Sequence, residues 1–171
     1  MSMNTFVTGD DQGLKDAMAE HGPALLSFIY RCIPDAATAD DLYQETWIRA
    51  YGARRSYDPA RPLRTWLYGI ALNAVRTHLR RSRRQKEAES ERPRPEGSVA
   101  DPEFSPEEVR ALLDRLPEEQ REVFLLREFQ GLNYDQIAEI TQRPIGTLKS
   151  QMFHAVQKLK KIVEPLWIAR K

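Results

Sequence analysis

Cysteine is nearly absent from this 171-residue chain, with Cys32 as its one example. A single thiol cannot build a disulfide framework or a thiolate metal cluster, and it fits a reducing compartment, here expected to be the cytoplasm. Long apolar runs are missing as well. No stretch approaches the roughly eighteen uninterrupted apolar residues of a membrane span. Residues 1–20 also lack the basic start and apolar stretch of a signal peptide. Alternating β-branched runs are absent, which argues against strands. An excess of one charge is missing too: 26 Lys and Arg face 25 Asp and Glu, for a net +1. Taken as an average, that balance argues against a nucleic-acid partner.

The average conceals a segregation. Residues 47–84 hold ten arginines and one acid, Asp58. Residues 85–108 hold eight acids against Lys86, Arg92 and Arg94, and residues 143–171 hold seven basic residues against Glu164. Two basic blocks therefore flank an acidic middle, a pattern that bears on partners rather than on fold. The acidic stretch also carries Pro93, Pro95, Pro102 and Pro106, with Phe104 as its only aromatic. It has too little apolar surface to offset its ordering entropy and reads as a flexible linker of at most about 80 Å. It divides the chain into a domain over residues 1–84 and another over residues 109–171.

Both halves show helical periodicity, so the expected fold is all-α, two small helical bundles joined by the linker. Helices are predicted near residues 11–32, 36–54 and 62–82, then 106–116, 118–129, 133–141 and 145–163. Gly131 should end the fifth, and Asn133 should cap the sixth.

The last two helices, joined by a short turn, form a helix-turn-helix pattern whose second member can enter a DNA major groove. At 100° per residue, Met152, Ala155, Val156 and Leu159 gather around Leu148 as a buried stripe. Ser150, His154 and Gln157 fall opposite, with Lys149, Phe153 and Lys160 on the flank. Hydroxyl, amide, cation and imidazole groups of this kind contact phosphates and base edges. Phe153 lies off the apolar stripe and suits either a thymine methyl or a neighbouring helix. Lys158, Lys160 and Lys161 suit either phosphate contact or a solvated helix end.

In the second helix, Leu42, Tyr43, Thr46, Trp47 and Ala50 form a core face. Asp41, Gln44, Glu45 and Ile48 share the other side, an acidic strip with an exposed isoleucine that can dock a basic partner helix or remain a plain solvated face. In the third helix, Thr65, Gly69, Asn73, Arg76 and Arg80 form a polar strip between two apolar stripes. Such a strip can follow a phosphate backbone and hold unpaired bases. Trp66 and Tyr68 fall nearer the apolar stripes and read as core. His21 and His78 have no second ligand at metal spacing, so no metal or cofactor is expected.

With these motifs in place, the chain resembles a bacterial RNA polymerase sigma factor of the extracytoplasmic-function group. Asp40-Asp41-Leu42-Tyr43-Gln44-Glu45-Thr46-Trp47, Trp66-Leu67-Tyr68-Gly69-Ile70-Ala71-Leu72-Asn73 and the arginine cluster look like region 2 of that family. Residues 116–124, 131–138 and 144–150 look like region 4. The resemblance implies that Asp41, Gln44, Glu45 and Ile48 dock on the clamp coiled coil of the polymerase β′ subunit. It implies that Tyr57, Arg61, Arg64, Thr65, Asn73, Arg76 and Arg80 serve recognition and melting of the promoter −10 element. Lys149, Ser150, Phe153, His154 and Gln157 would read the −35 duplex, and region 4 would contact the β flap. Two departures stand out: His154 occupies a position where the family often has arginine, and Gln151 replaces a frequent basic residue. The resemblance further implies an anti-sigma partner and a linker threading the polymerase interior, where its acids could mimic nascent RNA. The expected activity is non-enzymatic. A stand-alone helix-turn-helix regulator is the rival, and a nucleic-acid-modifying enzyme lacks any nucleophile–base pair, P-loop or metal cluster in the sequence.

Overall fold

The chain's tendency to place apolar residues three and four apart is realised as seven α-helices in the described residues, with no strand among them. The computed structural model describes Phe6 and residues 11–88 and 106–169. Helices α1 (Asp11–Cys32), α2 (Ala36–Ala53) and α3 (Leu63–Ala88) form the first bundle. A 3₁₀ turn, Arg54–Ser56, follows α2. The second bundle comprises α4 (Pro106–Asp114), α5 (Glu118–Phe124), a π-helical turn (Leu125–Phe129), α6 (Tyr134–Thr141) and α7 (Ile145–Ala169).

Helix ends follow local chemistry. Asp35 caps α2, its carboxylate accepting from the Thr38 backbone N–H at 2.8 Å and from the Thr38 hydroxyl at 2.6 Å. These bonds favour the ionised acid and hold its pKa below the ordinary value. Asn133 caps α6 through a reciprocal box: its side chain accepts from Gln136 N, and the Gln136 amide oxygen accepts from Asn133 N, both at 2.9 Å. Gly131, at φ 63°, turns the chain out of the π-helical segment. The Leu132 N–H then returns to the Leu126 carbonyl at 3.1 Å.

The first core gathers Leu25, Phe28 and Ile29 of α1, Leu42 and Trp47 of α2, and Leu67, Tyr68, Ala71 and Leu72 of α3. Phe28 meets Tyr68 edge to face at 5.3 Å between ring centroids, a geometry that aromatic quadrupoles favour. The same buried cluster continues into the second half through Leu113, Leu116, Val123, Leu125, Leu126, Ile137, Ile140, Leu148 and Ala155.

The two expected helical halves are joined by more than the linker: α3 packs along α6, and α1 touches the π-helical turn. The seam is apolar in part and polar in part, so no hydrophobic pattern within either half announces it. Helix α3 also runs to Ala88, and α4 begins at Pro106, so both helices take in the ends of the predicted linker. The rest of the linker, with most of its acids, lies outside the described residues.

Candidate nucleic-acid interface

Helix α7 separates its surfaces cleanly. Leu148 and Ala155 are fully buried against the bundle, with Met152 and Leu159 packed beside them. Lys149, Ser150, His154 and Gln157 are exposed, and Phe153 retains 59% of its surface. The Phe153 ring packs on a helix neighbour rather than on another helix, meeting the His154 imidazole at 5.6 Å between centroids. Lys149 stands 5.8 Å above the Tyr134 ring of α6, which steadies the cation at the helix N-terminal end. The turn between α6 and α7 is tight. Gln142 adopts the left-handed conformation at φ 57°, and its amide nitrogen donates to the Glu139 carbonyl at 2.6 Å. All five residues of the expected duplex-reading set therefore share one open surface.

Helix α2 behaves similarly. Leu42, Thr46, Trp47 and Ala50 are buried, and the Thr46 hydroxyl is satisfied by the Leu42 carbonyl at 2.7 Å. Asp41 and Gln44 are exposed, and Ile48 is 71% exposed, the most open large hydrophobic residue among those described. Glu45 is half-buried and pairs with Arg49 at 2.6 Å, an i,i+4 contact that holds its carboxylate on the helix surface. An apolar knob ringed by amide and carboxylate is suited to a partner that brings its own cations.

The strip on α3 is different. Asn73 and Arg80 are exposed, whereas Thr65 is 1% exposed and Tyr57 is 3% exposed. Neither of those two presents a surface: Tyr57 packs against Trp66 at 5.2 Å and donates its hydroxyl to the Arg61 carbonyl at 2.5 Å. Burial raises the Tyr57 pKa, with Asp58 adding to the effect. The expectation that both residues present polar groups at the surface is corrected: Tyr57 is folded inward ahead of α3, and Thr65 lies on the core side of that helix. Gly69 carries no packing demand of its own, since an added Cβ would meet nothing within 4 Å.

Arg76 of this strip and the nearby Arg61, Arg64 and Arg83 contact the second bundle, whereas Arg80 stays exposed. Arg76 grips Glu122 of α5 with two parallel bonds, Nε to Oε1 and Nη2 to Oε2, each 2.7 Å. The contact, foremost among the causes, raises the Arg76 pKa above its already high value. Glu122 is buried and also receives Arg143 at 3.1 Å. Arg64 donates through Nη2 to the Gln130 carbonyl. Arg61 pairs with Glu139 of α6 at 2.9 Å, and Arg83 with Glu118 at 3.1 Å. Glu118, Glu122, Gln130, Glu139 and Arg143 did not emerge from the sequence reading as site residues. A usable signal was present: acids at 118, 119 and 122 share one helix face, opposite no basic residue of their own helix except Arg121.

No group of three or more His, Cys, Asp or Glu able to hold a metal occurs among the described residues. Nor is any helix there long and apolar enough to cross a membrane.

The chain matches the family models described as Sigma-70 region 2, over residues 17–85, and Sigma-70, region 4, over residues 107–159. It is 33% identical to the RNA polymerase sigma-H factor of Pseudomonas aeruginosa, covering 92% of this chain and 90% of that one. It is 36% identical to the ECF RNA polymerase sigma factor EcfG of Rhodopseudomonas palustris, covering 88% and 84%. Among solved structures, it resembles the sigma factor RpoE of Bartonella quintana, crystallised with the anti-sigma factor NepR. The TM-score there is 0.73 at 25% identity, over 88% of this chain and 96% of that one. Two family regions in the family's order, on a helical scaffold shared with a solved member, make this chain a sigma-70 family protein of the extracytoplasmic-function group.

Proposed function

We propose that this protein binds core RNA polymerase and directs it to specific promoters, reading the −35 element as duplex with α7 and holding the melted −10 element along α3. The observation that carries the reading is α7: a helix anchored by Leu148 and Ala155 whose opposite face offers Lys149, Ser150, Phe153, His154 and Gln157 to solvent. Asp41, Gln44, Glu45 and Ile48 form the docking surface for the β′ clamp coiled coil, and the second bundle meets the β flap. On α3, Arg64, Asn73, Arg76 and Arg80 engage the −10 strand together with Arg61 of the preceding turn, and Tyr57 and Thr65 shape the turn and helix from below.

The energetics suit a machine without fuel. Unstacking duplex DNA costs about 1.4 kcal/mol per base-pair step. Held bases return about 1–3 kcal/mol each when stacked on side chains, and phosphate neutralisation adds a salt-dependent term. Binding energy therefore suffices to favour the open strand, and the sigma-70 family is not an enzyme class. The protein acts beside the polymerase in the cytoplasm. By likeness to the RpoE–NepR complex, an anti-sigma protein holds it inactive.

In vitro transcription with core polymerase lacking sigma and a genomic promoter library tests the reading. Promoter-dependent transcripts are expected, and Ile48→Asp should abolish them while leaving the melting temperature unchanged. Absence of both transcripts and a stable core complex, under conditions where a control sigma works, would overturn it. Full transcription by Ile48→Asp would favour a DNA regulator that works without this polymerase contact.

A further inference from the structure

Phe6 lies ahead of α1 in the chain, yet it is only 1% exposed. Its ring meets the indole of Trp66 on α3 edge to face, at 6.1 Å between centroids and 72° between planes. Trp66 has a second ring partner: Tyr57 packs against it at 5.2 Å with a tilt of 51°. Three rings from three separate stretches of chain therefore touch in series, Phe6 to Trp66 to Tyr57. The shared member, Trp66, is itself only half-buried, so these two rings bound it at the edge of the core.

Beyond Tyr57 the chain enters a turn in which Asp58, Pro59, Ala60, Arg61 and Pro62 are all exposed. Within it, the Ala60 N–H donates to the Asp58 carboxylate at 2.9 Å and the Arg61 N–H to the Asp58 carbonyl at 3.0 Å. Both bonds are local and leave the turn as a whole free to swing. Tyr57 ties it back to the first bundle, its buried phenol donating to the Arg61 carbonyl at 2.5 Å. The shape of the turn therefore depends on where the Tyr57 ring sits, and that ring sits on Trp66.

We infer that Phe6 is a positioning residue for this turn: it seats Trp66, Trp66 seats Tyr57, and Tyr57 fixes the Asp58–Pro62 backbone in the shape that meets a single DNA strand. The inference rests on the proposed engagement of the −10 strand by Arg61 and the start of α3. A turn already set in its bound shape loses less freedom on binding than a loose one, so Phe6 raises affinity for the strand without touching it. Without the Phe6 ring, Trp66 and Tyr57 relax into the space left behind, and the turn follows them.

The test uses the full chain carrying Phe6→Leu, which keeps an apolar side chain at the site and removes the ring. Ile29→Val, a truncation of a fully buried residue on α1, controls for lost stability alone. Hydrogen exchange at the Arg61 amide of the free chain reports opening of the turn. Titration with core polymerase reports core binding. The resulting holoenzyme is then titrated with a fork-junction DNA, duplex at −35 and single-stranded at −10, built on the strongest promoter from the library transcription, and with the same duplex ending upstream of −10. In Phe6→Leu we expect exchange at Arg61 to rise about tenfold and fork binding to weaken about tenfold, with core and duplex binding changed less than twofold. Ile29→Val should leave exchange at Arg61 and fork binding within twofold of the unaltered chain. Unchanged exchange at Arg61 in Phe6→Leu would overturn the inference, as would faster exchange with unchanged fork binding. Equal losses of fork and core binding, or the same pattern in Ile29→Val, would reduce Phe6 to bulk stability and overturn it too. An unaltered chain that forms no polymerase complex would remove the sigma role, and faster exchange in Phe6→Leu would then still uphold Phe6 as the anchor of the turn.

Discussion

Tyr68 and Gln130, 62 residues apart in sequence, share a buried hydrogen bond in which the phenol donates to the amide oxygen at 2.5 Å. Burial raises the Tyr68 pKa, which favours the neutral, donating form, while the nearby Arg64 acts in the opposite direction. Gln130 also offers its backbone carbonyl to Arg64, so one buried residue ties two side chains of α3 to the end of the π-helical turn. Gln130→Ala should orphan the Tyr68 hydroxyl and lower stability by about 1–3 kcal/mol. Tyr68→Phe should cost less than Gln130→Ala. A double-mutant cycle by urea unfolding should return a coupling of about 1 kcal/mol. Strict additivity would show that the bond contributes nothing.

Cys32 reports on the same seam. The thiol is buried at the end of α1, where burial raises its pKa to about 12 in the field of Arg121, Glu122, Glu118 and Arg110, all from the second bundle. Thiolate is the reactive species, so labelling by a disulfide reagent at pH 8 should be slow in the free chain. The rate should rise at least tenfold in Gln130→Ala combined with Arg76→Gln, which loosens the seam. Equal rates in the variant and the unaltered chain would place Cys32 behind the first bundle alone.

His21 sets an acid limit on the first bundle. Desolvation lowers its pKa below 6.5, and Arg64 reinforces the shift while Glu20 opposes it. A folded-state pKa below the unfolded one means that the unfolded chain binds more protons once the pH falls towards 6.5. Stability contributed by neutral His21 is complete above that value and is lost as the pH drops through the window beneath it. His21→Gln should flatten the melting temperature between pH 7 and pH 5.5, relative to the wild-type decline. A parallel decline in both proteins would assign the acid sensitivity elsewhere.

On α7, the cation and the ring should fail differently. Lys149→Ala should weaken duplex binding at every sequence and reduce the slope of log K against log salt by about one. Phe153→Ala should cost about 1–3 kcal/mol at the preferred −35 site and leave the salt slope unchanged. His154→Arg should shift −35 preference towards guanine without moving −10 preference. These three titrations, run on one promoter set, separate phosphate contact from base reading.

Most of the helix pattern was legible because periodicity is a local property. The predicted spans 11–32 and 133–141 coincide with helices at those places, the helix predicted over 145–163 starts as expected but runs on to Ala169, and the Gly131 turn and Asn133 cap lie where their chemistry requires. The core face of α2 and the stripe on α7 also follow from 100° spacing. What the sequence hid was depth. Tyr57 and Thr65 are polar enough to suggest a surface, yet tertiary packing buries both, leaving the Thr65 hydroxyl without a hydrogen-bond partner. The π-helical turn was also hidden, since Leu125–Phe129 carries an ordinary helical composition. The seam between the halves depends on acids and arginines from distant segments meeting in space, and no window along the chain contains both.

Glu122 receives Arg76 from one bundle and Arg143 from its own. The pairing has a genetic consequence. A change at position 122 is felt at once by Arg76 of α3 and by the arginine that begins the turn into α7. Such a position should drift only in company: related chains that lose the acid should also have lost or replaced one of the two arginines. Position 122 is thus a place where the inherited histories of two distant segments become one.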